Sequence, residues 1–291
     1  MNICIGARKY IDGVRDTLNS QVAILADIKV DLAEKKVGDF TFIDLTPVEH
    51  IGQKVGEGVF KHYIANALAE TILQHWEAEL INRELKVNHQ QFTEQERTTI
   101  LAKANKVLNE GISLTTPIYR TSRKTKIIQQ LLDYLEINNK VILEGFIRFR
   151  LKEYYSELQT AITLAVDEFL MEKEYSEFIK LLKYFVDIQE PKLETLNVLV
   201  KTSGSFQLYD CHHELVNNDY LEGFVADLID NEITYEDLLI SALITIAPRF
   251  VVLHGLSNKK DNETINTIRN VFGERISSCQ GCSLCNLASR S

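Results

Sequence analysis

The chain has 291 residues, of which 45% are hydrophobic and 25% charged, a composition typical of globular proteins with a substantial core. Its 41 acidic and 32 basic residues give a formal charge of -9 at pH 7, which argues against nucleic acid as a partner. No secretory signal pattern and no apolar run near the roughly 20 residues of a membrane-spanning helix occur, so we expect a cytoplasmic protein without a membrane span.

The first 46 residues predict a small α/β segment. Residues 1–6 are apolar enough for a strand, and apolar residues at helical spacing over 11–18 predict a short helix after it. Alternating apolar residues then predict a hairpin over 22–45, with its turn in the charged segment 34–39.

Residues 47–190 predict a helical region. Its first helix is expected to begin at Thr46–Glu49, which combines an N-cap hydroxyl, a proline at the first helical position and a glutamate that can close a capping box. Thr93–Glu96 is a second capping box, and a third helix is expected to begin near Ser122.

A long central helix is the strongest pattern in this region. Apolar residues recur at steps of three and four from Leu143 to Phe169, which predicts one amphipathic helix. A second run, from Tyr175 to Phe185, continues the pattern, and Pro191 forbids further helix.

Two groups of charged residues in the helical region are interpreted as solvated surface. They are the basic group at the start of the third helix and a four-residue-spaced series in the central helix, namely Arg120, Arg123, Lys124 and Lys126, and Glu144, Arg148 and Lys152.

Residues 191–278 predict a C-terminal α/β segment, and residues 279–291 a cysteine-containing tail. The elements expected in the segment are a hairpin over 196–210, a helix over 235–246, a strand over 250–253, a helix over 261–272 and a last strand over 275–278. Strand, helix and strand in this order form a parallel crossover. We therefore predict a predominantly helical α+β protein, with long central helices flanked by mixed segments whose strands can share one sheet.

The sharpest chemical signal is the sequence CxxCxxC at Cys279, Cys282 and Cys285. Thiolates at this spacing can converge on one metal ion. A bacterial ferredoxin pattern would next require a cysteine at 289, where this chain has Ser289. A metal site therefore needs a fourth ligand from elsewhere in the chain.

Four residues are candidates for that fourth ligand: Cys211, His212, His213 and His254. Zinc accepts three cysteines with one histidine, or four cysteines, and is the expected metal, with an iron–sulfur cluster as the second choice. The competing interpretation is a tail of reduced thiols that binds no metal. The odd total of five cysteines fits a reducing compartment under either interpretation.

The sequence contains no recognisable catalytic signature, so whether the protein is an enzyme stays open. His213 and Glu214 lack the second histidine of a zinc-protease helix, although a Cys–His nucleophile pair at Cys211–His213 is an alternative. His254 is predicted to lie at the carboxyl end of a strand, where open α/β sheets often bind ligands. The competing interpretation, which the sequence favours, is a structural histidine whose hydrogen bonds are satisfied within the fold.

Several stretches together resemble the YtxC family of spore-forming bacteria: residues 144–155 (EGFIRFRLKEYY), 177–199, 237–254 and the terminal cysteines. The resemblance implies a bacterial cytoplasmic protein linked by name to sporulation, and it implies no particular activity, cofactor or catalytic residue. We expect an interaction or regulatory scaffold with protein partners and a structural metal site. The alternative is a metal-dependent enzyme that uses the C-terminal α/β unit.

Overall fold

The computed structural model describes residues 2–24, 29–48, 56–110, 120–201, 206–216, 235–255 and 263–288. The chain forms two compact units, Met1–Met171 and Glu172–Ser291, and the boundary falls inside a long helix. Most of the described residues lie in helices, so the fold is a predominantly helical α+β fold as predicted. None of the helices in these ranges is both long and apolar enough to cross a membrane.

The first unit combines one four-stranded sheet with a set of helices. Its elements are β1 (Ile3–Ala7), α1 (Ile11–Ile24), β2 (Lys29–Val37), β3 (Phe40–Val48), α2 (Glu57–Thr71), a π-helical turn (Ile72–Trp76), α3 (Glu77–Asn88), α4 (Glu94–Glu110), α5 (Arg120–Ile137), β4 (Lys140–Ile142), α6 (Leu143–Arg150) and the first part of α7 (Lys152–Ile188). The strand order is β2-β3-β1-β4, in which β1 and β4 are parallel and the other pairs antiparallel. One continuous apolar core joins the sheet to the helices.

The predicted N-terminal hairpin forms, with different boundaries. α1 extends to Ile24, and β2 runs through the charged residues 34–36 to Val37, so the turn is only Gly38 and Asp39. Gly38 has a φ of +60°, a conformation that glycine adopts without a Cβ clash. The charges are tolerated because β2 is an edge strand with exposed side chains.

The helix start predicted at Thr46–Glu49 is wrong for Thr46, Pro47 and Val48, which continue β3; Glu49 lies outside the described residues. Pro47 is accommodated because the pairing of β3 with β1 ends at Leu45, and β3 has only β2 as a neighbour beyond that point. The capping box at Thr93 is confirmed, since Thr93 N–H donates to Glu96 Oε2 (2.8 Å) and Glu96 N–H to Thr93 Oγ1 (3.3 Å).

The central helix is divided differently from the prediction. α6 ends at Arg150, Leu151 has a non-helical backbone (φ -91°, ψ 47°), and α7 then runs without interruption for 37 residues. No glycine or proline marks the break. The side chain of Leu151 is buried in the core and α6 contacts β1, so tertiary packing overrides the local helical pattern.

One residue of the basic group at the start of α5 is buried, so the prediction of a solvated surface is wrong for Arg123. Arg123 is only 1% exposed and forms a two-pronged pair with Glu77, in which both N···O distances are 3.1 Å. The same guanidinium donates to the carbonyl of Leu108, and Tyr154 donates to Glu77 Oε2 at 2.9 Å. Burial next to a glutamate thus distinguishes Arg123 from the neighbouring bases.

The second unit is a smaller α/β arrangement. Its elements are the remainder of α7, β5 (Thr195–Val200), β6 (Phe206–Tyr209), α8 (Tyr235–Ile246), β7 (Phe250–His254), α9 (Glu263–Phe272), a 3-10 turn (Gly273–Arg275), β8 (Ile276–Ser278) and α10 (Ser283–Ala288). The order is β6-β5-β7-β8, with β5, β7 and β8 parallel and β6 antiparallel. The predicted hairpin and crossover are therefore present; residues 261–262, the expected start of α9, lie outside the described ranges.

The strands of the two ends lie in two separate sheets, each with its own apolar core. A sheet shared between residues 1–46 and 191–278 is thus not what the described strands form. The physical reason is that β4, from the middle of the chain, takes the edge position next to β1 in the first sheet.

Candidate metal centre

The carboxyl ends of two neighbouring parallel strands position the candidate site. β7 ends at His254, and β8 is followed directly by Cys279, whose N–H donates to the carbonyl of Leu253 at 2.8 Å. Because parallel strands point the same way, the residues that follow them meet at one edge of the sheet. The strand pairing therefore sets His254 and Cys279 side by side.

A tight reversal brings the other two cysteines to the same edge. Gly281 has a φ of +139°, which strains any residue with a Cβ, and it lets the chain turn back between Cys279 and α10. Cys282 immediately precedes α10 and Cys285 lies in its first turn. The CxxCxxC spacing thus places three thiols on one turn and one short helix.

One potential ligand atom from each of four residues, His254, Cys279, Cys282 and Cys285, lies within 4.8 Å of all the others. His254 Nδ1 is 3.3 Å from Cys282 Sγ and 3.6 Å from Cys285 Sγ, and these two sulfurs are 3.9 Å apart. The histidine is buried and the cysteines are half-buried. Three thiols and one imidazole converging in this way can bind a metal ion.

A hydrogen bond behind His254 sets which ring nitrogen faces the thiols. Asn197, on β5, donates its side-chain N–H to the carbonyl of Asp210 at 2.8 Å, so its Oδ1 is turned toward His254. His254 Nε2–H donates to that oxygen at 3.0 Å, which leaves the lone pair of Nδ1 directed at the cysteines. An oriented histidine of this kind is typical of metal sites.

The pKa directions of His254 and Cys282 favour their metal-binding forms. Burial lowers the pKa of His254 below its ordinary value, and the nearby His213 lowers it further, so the ring is neutral at pH 7. The backbone N–H of Cys285 is the main cause that lowers the pKa of Cys282, helped by the Cys279 thiol and the N–H of Leu284 against a smaller effect of burial. The thiolate of Cys282 is thereby stabilised relative to that of an ordinary cysteine.

The pKa of Cys279 is shifted in the opposite direction, above its ordinary value. The N–H of Gly281 lowers the pKa of Cys279, but burial and the thiols of Cys282 and Cys285 together raise it by more. Crowded thiols resist deprotonation because each thiolate repels the next. A bound cation removes this repulsion, so metal binding and thiol ionisation are coupled.

The structure separates the seven ligand candidates predicted from the sequence. It brings together the CxxCxxC cysteines and His254, whereas the exposed Cys211, His212 and His213 lie outside this group of four. The loop 211–214 instead contacts the site indirectly, through Asp210. Asp210 Oδ1 accepts the N–H groups of His212 (2.8 Å) and Glu214 (2.9 Å). These bonds hold the segment whose carbonyl orients Asn197.

Sequence reasoning missed Asn197. One feature of the sequence could have identified it: Asn197 is a lone polar amide within the apolar strand TLNVLV, and a buried amide side chain needs a hydrogen-bond partner. That partner proves to be His254 on the neighbouring strand, two residues beyond Val252, the residue paired in register with Asn197.

Comparisons with known proteins identify relatives of the chain. The model of the YtxC-like family matches residues 62–277, a span that includes Asn197 and His254 and ends before Cys279. Protein YtxC of Bacillus subtilis (strain 168) is 31% identical over 190 residues, which are 64% of this chain and 65% of the relative. The match thus spans slightly less than two thirds of that relative's length. No solved structure matches the chain significantly.

Proposed function

The chain belongs to the YtxC-like family, and from that premise we propose that it is a cytoplasmic zinc-binding protein that acts as an interaction or regulatory scaffold. The observation that carries the proposal is the convergence of His254, Cys279, Cys282 and Cys285 within 4.8 Å. A link to sporulation enters the proposal only through the family resemblance. The free thiols of all five cysteines support a reducing compartment.

The distances within the cluster support zinc. A tetrahedral zinc ion with Zn–S of about 2.3 Å and Zn–N of about 2.0–2.1 Å sets two sulfurs about 3.8 Å apart and a sulfur and nitrogen about 3.6 Å apart. The corresponding distances here are 3.9 Å for Cys282–Cys285, and 3.3 and 3.6 Å for His254 with these two sulfurs. An iron–sulfur cluster is the less favoured choice, because it ordinarily uses four cysteines.

A structural role for the metal is favoured over a catalytic one. Four protein ligands complete a tetrahedral shell, whereas catalytic zinc sites keep one position open for water or substrate. The ligands also join three segments: the end of β7, the residue after β8, and α10. A helix of six residues such as α10 is too short to be stable alone, so the metal would hold it in place.

The scaffold role is supported by an exposed apolar face on the second half of α7. Ile179, Leu182 and Val186 pack into the core of the second unit. On an adjacent face, Leu181 and Ile188 are 52% and 59% exposed. Phe178, Tyr184 and Phe185 are exposed as well. We define these five exposed residues as the α7 stripe, and contiguous exposed apolar residues of this kind are typical of protein interaction surfaces.

The metal experiment uses full-length protein purified without added ions and handled anaerobically. We expect about one zinc per chain by inductively coupled plasma mass spectrometry, because the donor set and spacing fit a closed zinc site. Cys282→Ser should lose most of the metal. Cys211→Ser, which changes an exposed cysteine outside the cluster, is the matched control and should keep it.

Absence of both zinc and iron from fresh wild-type protein would contradict the metal proposal. Detection of iron together with inorganic sulfide would show that the site holds an iron–sulfur cluster and not zinc. If zinc is present, cobalt substitution decides its role: intense tetrahedral visible bands that are unchanged by added azide indicate a closed structural site. Bands that shift with azide would indicate an open position and favour the enzyme alternative.

A further inference from the structure

A cavity of about 670 Å³ lies in the first unit, at the carboxyl ends of the parallel strands β1 and β4. Arg8 and Lys9 follow β1, while Ile142 ends β4 and Glu144 follows it, and all four residues line the cavity. Carboxyl ends of adjacent parallel strands are where open α/β sheets bind small ligands, and the volume is within the range of ligand pockets. The position therefore favours a binding site.

The cavity is basic although the whole chain is acidic. Five bases and two acids line it, namely Arg8, Lys9, Arg83, Arg148 and Lys152, and Glu79 and Glu144. The formal charge of the lining is thus +3, in a chain whose formal charge is -9. A local reversal of charge of this kind attracts an anion.

Three of these bases are available to a ligand. Lys9 Nζ is paired with Glu79 at 2.5 Å, and Arg83 contacts the Tyr155 hydroxyl. Within the described part of the chain, no carboxylate pairs with Arg8, Arg148 or Lys152. The two arginines instead lie over aromatic rings, Arg8 4.3 Å from the centre of Phe40 and Arg148 5.4 Å from that of Phe149.

Glu144 does not form the expected surface pair with Arg148. Its Oε1 accepts the backbone N–H groups of Arg8 (2.8 Å) and Lys9 (3.1 Å), which joins the loop after β1 to the start of α6. Its Oε2 is buried and has no hydrogen-bond partner among the described residues. Glu144 therefore fixes the wall of the cavity through Oε1 and does not present Oε2 to a ligand.

The apolar part of the lining suits a flat ring. Phe149 is 64% exposed at the cavity, and Trp76 and Tyr155 also line it. Trp76 ends the π-helical turn, a rare backbone form found frequently at functional sites. There is free space next to Gly145, since a Cβ built there would meet nothing within 4 Å.

We propose that this cavity binds a nucleoside monophosphate. The base would lie against the aromatic lining, and the phosphate between Arg8, Arg148 and Lys152. A phosphate monoester carries a charge of about -1.5 to -2 at pH 7, which matches the excess of bases better than a single carboxylate does. Paired guanidinium groups also bind phosphate oxygens with good geometry. This inference is independent of the metal centre, which is built from residues of the second unit.

The test titrates AMP, GMP, CMP and UMP into the full-length protein by isothermal titration calorimetry. Trp76 is the sole tryptophan of the chain and lines the cavity, so its fluorescence reports on this site directly. We expect at least one nucleotide to bind with a Kd below about 1 mM. Its nucleoside alone and inorganic phosphate alone should each bind at least roughly tenfold more weakly, because each makes only part of the contacts.

Four variants locate the binding. Gly145→Phe fills the cavity and should abolish binding, whereas Gly145→Ala adds only a methyl group and should keep it. Arg148→Gln with Lys152→Gln should weaken binding by roughly tenfold or more. Arg249→Gln, which removes an exposed arginine outside the cavity, should not change it.

Several outcomes would overturn the proposal. They are the absence of heat and of a fluorescence change for all four nucleotides up to about 1 mM, equal binding by inorganic phosphate alone, and unchanged binding in Gly145→Phe. If Gly145→Phe fails to fold, the double glutamine variant decides: wild-type affinity in that variant excludes the cavity.

Discussion

At the scale of single residues, the stability of the first unit depends on two buried charges, Arg123 and Glu77. The guanidinium satisfies both carboxylate oxygens of Glu77 and the carbonyl of Leu108, and Tyr154 adds a further donor. Burial raises the pKa of Tyr154 well above its ordinary value, as does its contact with Glu77, so the phenol stays protonated and donates. Removing Arg123 leaves the buried Glu77 carboxylate with the Tyr154 hydroxyl but without a compensating positive charge from this group.

We predict that Arg123→Ala lowers the free energy of unfolding by about 3–5 kcal/mol, because it leaves the buried Glu77 carboxylate uncompensated. The matched change is Arg120→Ala, which removes a partly exposed base from the same helix as Arg123. Arg120 is paired with Glu70 of α2, and its loss should cost about 0–1 kcal/mol. Urea denaturation followed by circular dichroism measures both values. Similar losses in the two variants would show that Glu77 is stabilised in some other way.

The candidate metal ligands illustrate what a residue pattern can and cannot predict. The spacing of Cys279, Cys282 and Cys285 is local, and the sequence alone marks these thiols as candidates. The histidine that joins them comes from a strand 25 residues earlier, and four candidates were equivalent until the parallel pairing of β7 and β8 was known. Asn197 was inaccessible to local reasoning for the same reason.

At the scale of elements, α7 has two different environments. Its first part supplies Tyr154, Leu158 and Ile162 to the core of the first unit. Its second part buries one face in the second unit and leaves the α7 stripe exposed. The helical period predicted the helix correctly, but a period does not tell whether an apolar residue faces a core or a partner.

We predict that Phe178→Glu combined with Leu181→Glu reduces recovery of protein partners with the tagged full-length chain from sporulating cells, because it places charge in an apolar interface. The control is Lys180→Glu, an exposed polar position on the same helix, which should leave recovery unchanged. Quantitative mass spectrometry of the recovered proteins measures both. Partners that are lost only in Cys282→Ser, and kept in the stripe variant, would count against the scaffold proposal.

Local signals predicted element ends with uneven success. The Thr93–Glu96 box starts a helix, whereas the similar signal at Thr46–Pro47 lies in β3. Both stretches have the residues for a cap, but at Thr46 the pairing of β3 with β2 competes with helix formation and prevails. The break at Leu151 has no local signal.

At the scale of the whole molecule, the chain consists of two units with separate apolar cores. The four candidate metal ligands all belong to the second unit. Because binding of a structural metal contributes directly to the free energy of folding, loss of the ion should loosen mainly the unit that holds it. The stability of the first unit should depend on its own core and on the Arg123–Glu77 pair.

We predict that chelation of the metal increases amide hydrogen exchange in β7, β8 and residues 279–288, with little change in β1 and β3. Hydrogen exchange with mass spectrometry measures this segment by segment. Lowering the pH should act in the same direction as chelation, since protons compete for His254 and the thiolates, and metal affinity should therefore rise with pH. Equal increases in both units, or none, would contradict a local structural role.

The sequence by itself determined the helical α+β class, most helices and strands, and the cysteine motif, because these depend on residue periodicity and spacing over short distances. Only the tertiary structure decided that the strands form two sheets, that His254 rather than the residues at 211–213 joins the thiols, and that Arg123 is buried. It also decided that bases scattered between residues 8 and 152 line one cavity. The physical reason is that strand pairing and core packing join residues far apart in the chain, and single-sequence periodicity carries no information about those partners.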